Sequence, residues 1–136
     1  METGALGEAA FVVTVGDTAQ ALALEPGDDF PPVLATARMI ALMELAASRA
    51  MKTVLQPGEL SVGVGLDVKH LAATPPGVEA RAVATFLGMD GKLFRFDVKA
   101  FDRGGLIGEG THTRAVVTTE RLLRGAASRN GGPASS

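Results

Sequence analysis

Apolar residues fall on alternate positions along three stretches of the chain. In 60–71 they are Val62, Val64, Leu66 and Val68; in 78–88, Val78, Ala80, Ala82, Ala84 and Phe86; in 92–103, Phe94, Phe96, Val98 and Ala100. A period of two marks a strand with one apolar face. A fourth strand-like stretch, 106–119, follows, and the separators "TPPG", "MDG" and "RGG" are turn sequences that join antiparallel neighbours. "AFVVTV" at 10–15 reads as a further short strand, and 16–32, acidic and rich in Pro and Gly, as a loop long enough for a lid. Residues 33–54 hold no Gly or Pro and are dense in Ala, Leu and Met, which predicts one long helix ended by "QPGE". A sheet with one apolar face needs a cover, and this helix is the cover available. The predicted fold class is α+β: an antiparallel sheet wrapped around one long central helix. It forms a single domain over 1–124, with the small, polar segment 125–136 as a disordered tail.

The helical run "MIALMELAASRAM" at 39–51 contains a glutamate, Glu44. At about 100° per residue, Arg38, Arg49 and Lys52 share one face, which reads as a solvated stripe. Glu44 lies about 120° from Arg38, beside Ile40, Ala41, Ala47 and Ser48, and is expected to be partly desolvated. A desolvated carboxylate is costly unless paired or used. His70 shares the even parity of Val62 through Val68 and so should face the helix. A Glu44–His70 pair across the two layers is the simplest expectation; it would hold the imidazole tautomer. Thr36 stands eight residues before Glu44, about 12 Å along the axis and roughly 80° around it, so the two cannot meet in one regular helix. Thr36 then sits either in a non-helical approach or opposite Glu44 of a partner subunit; a plain N-cap is its structural alternative. His112 is read as structural, and Arg114 as free to pair with Glu109 or Glu120.

Composition narrows the function. A length of 136 residues suits one domain, and 46% hydrophobic with 21% charged residues is ordinary for a soluble globular protein. No apolar run approaches the roughly 18 residues that span a bilayer, and the N-terminus shows no signal peptide. With no cysteine and only two histidines, neither a disulfide nor a metal site is expected, and the cytoplasm is the expected compartment. Residues 1–32 carry six acids and no Lys or Arg, while 33–136 carry nine acids against thirteen bases. That excess is too small for a nucleic-acid binder but compatible with a small anionic ligand.

The helix "LATARMIALMELAASRAM", the strand "SVGVGLDVKHLAATPPG" and the last strand "GEGTHTRAV" together resemble the hotdog-fold acyl-CoA thioesterases, in particular the fluoroacetyl-CoA thioesterase group. The likeness runs from about Phe30 to Val117. It is most specific in the Thr-to-Glu spacing of "TARMIALME" and in the stretch at 70–77. The resemblance implies a hotdog fold, a homodimer with its sites at the subunit interface, and an acyl-CoA substrate, with CoA as part of the substrate and no separate cofactor. It implies a catalytic set of Thr36, Glu44 and His70. It also implies Gly63 at the acyl pocket, Arg114 lining the site, and Phe30 in a hydrophobic lid.

One position departs from that pattern. The fluoroacetyl-specific lid carries a second phenylalanine three residues before the first, where this chain has Gly27. Glycine cannot fill that space or exclude water as an aromatic does, so the expected substrate is a short-chain or other small acyl-CoA. Two rival functions share the fold: a non-catalytic acyl-CoA or small-molecule binding protein, and a dehydratase of 3-hydroxyacyl thioesters. The complete Thr/Glu/His set favours hydrolysis.

Overall fold

The computed structural model describes residues 1–132. In chain order the elements are β1 (Leu6–Val12), α1 (Thr36–Ala50), β2 (Glu59–His70), β3 (Glu79–Asp90), β4 (Leu93–Asp102), β5 (Gly105–Thr118) and α2 (Thr119–Arg129), with short 3-10 turns at Val15–Asp17, Gln20–Leu22 and Lys52–Val54. The strands make one antiparallel sheet in the order β1-β3-β4-β5-β2, curled around α1. This is the predicted architecture, and β2 to β5 lie where turn chemistry and alternation placed them.

The core is the layer between α1 and the concave sheet face. Met39, Leu42, Met43, Ala46 and Ala47 of α1 meet Ala80, Ala82, Ala84 and Phe86 of β3, and Phe96, Val98 and Ala100 of β4. Three alanines in register along β3 let the helix approach closely. On β1 the approach is closer still: a Cβ at Gly7 would overlap the Ala46 carbonyl and crowd Ala50. Phe86 holds Phe94 and Phe96 at centroid distances of 5.9 and 5.7 Å, within the range of favourable aromatic packing.

Several expectations need correction. The first strand is Leu6–Val12, not 10–15. Small residues in "LGEAAFV" conceal its alternation, and pairing from Leu6↔Thr85 to Val12↔Glu79 defines it instead. Val15 leaves the sheet because Asp17 accepts from Thr14 N–H and Thr14 Oγ–H at 2.8 Å each, closing a tight turn. The helix covers Thr36–Ala50 rather than 33–54, because Leu34 donates to the Thr74 carbonyl and Thr18 bridges Leu34, holding that segment extended. Of the segment expected to be a disordered tail, 125–129 lies in helix α2. Its alanines and the Glu120–Arg124 pair at 3.7 Å favour a solvated helix after β5. Residues 133–136 lie outside the described residues.

Alternation along β2 also fails in its first half. The pairing with β5 slips between Gly63 and Gly65, where a β-bulge inserts Val64. Val62 and Val64 therefore do not join the concave face, and Val64 is 56% exposed. Past the bulge, Leu66, Val68 and His70 are paired with His112, Gly110 and Gly108, on the concave side as expected. Before it, Ser61 and Gly63 take that side.

Candidate active site

Two clusters of polar side chains line the seam between α1, β2 and β5. The first joins the start of α1 to the end of β2. Ala35, not Thr36, is the N-cap, and its carbonyl accepts the first helical bonds from Arg38 and Met39. The Thr36 hydroxyl is thus not engaged in capping and lies 2.8 Å from His70 Nδ1. The other ring nitrogen, His70 Nε2, is buried and has no hydrogen-bond partner among the described residues. A cavity of about 360 Å³ opens beside this couple, walled by aliphatic residues such as Val33, Leu34, Leu71 and Ala73.

The segment between the Val15–Asp17 turn and α1 borders that cavity through Ala19, Pro31 and Val33. Its neck is closed by Ala19 N–H to the Val33 carbonyl (2.9 Å) and Gln20 N–H to the Pro31 carbonyl (3.1 Å). Asp17 anchors it to α1 by accepting from Arg38 Nε at 3.0 Å. Burial raises the Asp17 pKa, but the Thr14 and Arg38 donors outweigh it, and the carboxyl lies below its ordinary value. Phe30 stands on this loop 47% exposed, and no atom beyond the chain neighbours lies within 4 Å of where a Cβ at Gly27 would be.

The second cluster lies two helical turns along. Glu44 is half-buried; its Oε1 lies 2.9 Å, and His112 Cε1 3.2 Å, from the point a Cβ on Gly63 would occupy. The missing side chain of Gly63 is what makes room for the carboxylate. Arg114, the cross-strand partner of Gly63, is only 6% exposed. It donates from Nε to Ser61 Oγ (3.0 Å), from Nη2 to the Ser61 carbonyl (2.9 Å) and from Nη1 to His112 Nε2 (3.1 Å). Burial pushes its pKa down, and the charge of Glu44 acts in the opposite direction. His112 is 1% exposed and donates from Nδ1 to the Gly65 carbonyl at 2.8 Å.

Within one chain, then, Thr36 meets His70, while Glu44 packs at Gly63, where its charge acts on Arg114 and His112 without a hydrogen bond or ion pair to either. The anticipated Glu44–His70 contact is not made within the chain: Thr36 occupies His70 Nδ1, and the pitch of α1 carries Glu44 away from both. Because Thr36 is helical, a non-helical approach that would bring it to Glu44 of its own chain is excluded. The alternative pairing of Arg114 with Glu109 or Glu120 does not form, because Arg114 faces inward to Ser61. Nor is the basic stripe simply solvated: Arg38 pairs with Asp17 and covers the Phe11 ring at 5.3 Å, and Arg49 donates to the Glu8 carbonyl. His112, which the sequence marks as structural, is bonded to Arg114. Its shared parity with Arg114 on β5 was the available signal. Among the described residues no group of three His, Asp or Glu side chains is placed to hold a metal.

The family model described as fluoroacetyl-CoA-specific thioesterase matches residues 13–120. The fluoroacetyl-CoA thioesterase of Streptantibioticus cattleyicolor is 44% identical over 94 residues, covering 69% of this chain and 68% of that protein. A mutant of the fluoroacetyl-CoA-specific thioesterase FlK, solved with fluoroacetate and CoA, superposes with a TM-score of 0.82 at 38% identity, over 90% of this chain and 99% of that one. A hot-dog-like protein from Thermanaerovibrio acidaminovorans gives a TM-score of 0.80 at 26% identity, over 97% of this chain and 95% of the other.

Proposed function

The chain belongs to the fluoroacetyl-CoA-specific thioesterase family, and from that premise we propose that it hydrolyses a small acyl-CoA thioester to the free acid and CoA. The observation that carries this reading is the His70 ring. One nitrogen is tied to the Thr36 hydroxyl, while the other is buried, unpartnered and beside an apolar cavity. A buried polar atom without a partner is costly, and a substrate carbonyl or attacking water would satisfy it. Glu44 supplies a carboxylate that either takes the proton of the attacking water or attacks the thioester carbon itself. Arg114 supplies fixed positive charge beside that carboxylate. The thiolate of CoA leaves and takes up a proton; on the direct-attack route water then cleaves the glutamyl anhydride to release the acid and restore Glu44, and no cofactor is required.

One chain holds Thr36 with His70 but not with Glu44, so the reading includes a homodimer in which Glu44 of the partner subunit completes each site. The edge strand supports it. β2 ends the sheet, and Leu60, Val64 and Leu66 along it are 47, 56 and 43% exposed. An unpaired apolar edge calls for cover, and a second copy of β2 would extend the sheet. The acyl group is small but not specifically fluoroacetyl, because the lid lacks bulk at Gly27. The compartment this reading proposes is the cytoplasm; among the described residues no helix is long and apolar enough to cross a membrane.

The test is thiol release across a panel of acyl-CoA esters, fluoroacetyl-CoA and crotonyl-CoA included, for the wild type and for Thr36→Ala, Glu44→Gln and His70→Ala. The expected result is hydrolysis by the wild type and loss of at least about 100-fold in each variant. No thiol release from any ester would overturn the reading in favour of a binder. Hydration of crotonyl-CoA without thiol release would overturn it in favour of a dehydratase.

A further inference from the structure

We propose that His112 is a positioning residue of this site: as the neutral Nδ1–H tautomer it couples the Gly63–Gly65 bulge to Arg114 and sets the direction of the two N–H groups that Arg114 leaves unused. The inference rests on the thioester-hydrolase reading above.

The tautomer follows from the partners. A carbonyl oxygen only accepts, so the ring nitrogen 2.8 Å from Gly65 O carries the hydrogen. A guanidinium only donates, so the nitrogen 3.1 Å from Arg114 Nη1 carries the lone pair. Both ring nitrogens are then occupied and the ring is buried. His112 has no atom left to exchange a proton with substrate, so any effect on the reaction passes through its neighbours.

The neighbour that matters is Arg114. A guanidinium has five N–H groups; Ser61 takes one from Nε and one from Nη2, and His112 takes one from Nη1. One N–H on each terminal nitrogen has no partner among the described residues. The strand partner opposite is Gly63, whose missing side chain opens space beside Glu44. The two free donors suit the oxygen of a thioester carbonyl or of the product carboxylate. Ser61 restrains the guanidinium from one strand only. His112 adds the restraint from β5 itself, and through Gly65 O it ties that restraint to the bulge that carries Gly63.

Protonation would reverse the arrangement. Nε2–H would then face Nη1–H, and two cations would lie side by side in a buried place. The groups acting on the ring are Arg114 on β5, Glu44 on α1 and the Gly65 carbonyl on β2. Burial holds the imidazole below its ordinary pKa. The Gly65 bond opposes this, Arg114 adds to it, and Glu44 opposes it. The ring stays neutral, as the positioning role requires.

The test combines His112→Leu, His112→Gln, Arg114→Gln and the double variant His112→Leu/Arg114→Gln. Leucine removes both contacts; glutamine keeps one donor and one acceptor. Against a hydrolysed acyl-CoA, His112→Leu should lose roughly 10- to 100-fold in kcat with a much smaller change in KM, as for a hydrogen bond to a charged group left unmade. His112→Gln should stay within about fivefold of the wild type, because it keeps a donor for the Gly65 carbonyl and an acceptor for Arg114. The double variant should be no slower than Arg114→Gln alone. Additive losses, equal damage from glutamine and leucine, or full activity in His112→Leu would each overturn the proposal. A wild type that hydrolyses no thioester would remove the parent reading, and nitrogen NMR of the ring and of the Arg114 Nε–H would still decide this one. A protonated Nδ1, a bare Nε2 and an Arg114 Nε–H whose exchange is slow in the wild type and fast in His112→Leu support it. A proton on Nε2, or Arg114 exchange indifferent to the substitution, overturns it.

Discussion

Gly63→Ala is the smallest change that asks whether the carboxylate of Glu44 works where it sits. The new methyl group would stand 2.9 Å from Glu44 Oε1, 3.3 Å from its Cδ and 3.2 Å from His112 Cε1. His112 cannot give way without losing a bond to Gly65 or Arg114. Glu44 is half-buried at the end of a flexible side chain, so it moves, by about half an ångström to reach ordinary contact and in an off-rotamer direction costing roughly 0.5–1.5 kcal/mol. Replacing glycine by alanine restricts the unfolded chain and returns about 0.4–1 kcal/mol. The net change in stability is therefore within about 1 kcal/mol, a melting shift of a few degrees. The rate is more sensitive, because a displacement of about 1 Å of a reacting group can cost 100-fold. We expect kcat to fall about tenfold or more, measured by thiol release on the substrate the wild type cleaves best, with melting followed by circular dichroism on the same samples. Unchanged activity at unchanged melting temperature would refute the placement of Glu44 in the reaction. An activity loss matched by a collapse in stability would refute the claim that the carboxylate, rather than the fold, absorbs the methyl group.

Other outcomes follow from the same geometry. Thr36→Ala and Glu44→Gln are each expected to be inactive, yet mixed and refolded together they should recover about a quarter of wild-type activity. Half the dimers are then mixed, and each has one whole site of two; no recovery would mean that each site lies within one chain. The depressed pKa of Asp17 means its contribution to stability is present above its ordinary 3.8 and lost as pH falls through its lower folded value. Asp17→Asn should cost about 1–2 kcal/mol at pH 7 and flatten that acid dependence, as read by guanidinium unfolding between pH 2 and 7. Gly7→Val should leave no cooperative unfolding transition, because β1 and α1 cannot separate enough to clear the Ala46 carbonyl; a melting curve near that of the wild type would show the helix to be free to shift.

Local physics sufficed for much of this chain. The alternation in 78–88 and 92–103, the turn sequences between strands and the unbroken helical run specify one helix against one apolar sheet face, because burying that face leaves few other arrangements. Glu44 announces itself because a carboxylate amid Ile, Leu, Met and Ala has to be accommodated. Parity placed His70 on the concave side, but for an incomplete reason, since the bulge at Gly63–Gly65 resets the phase of β2 halfway along. That bulge leaves no mark in alternation beyond two glycines, and it decides that Gly63 rather than Val64 faces the helix. Which polar groups meet was decided by tertiary structure alone. Thr36 is free for His70 only because Ala35 takes the cap, and Arg114 turns to Ser61 and His112 because β5 pairs with β2 in one register. A sequence carries the period of each element. The register between elements, and with it the partner of each buried charge, exists only once the layers have closed.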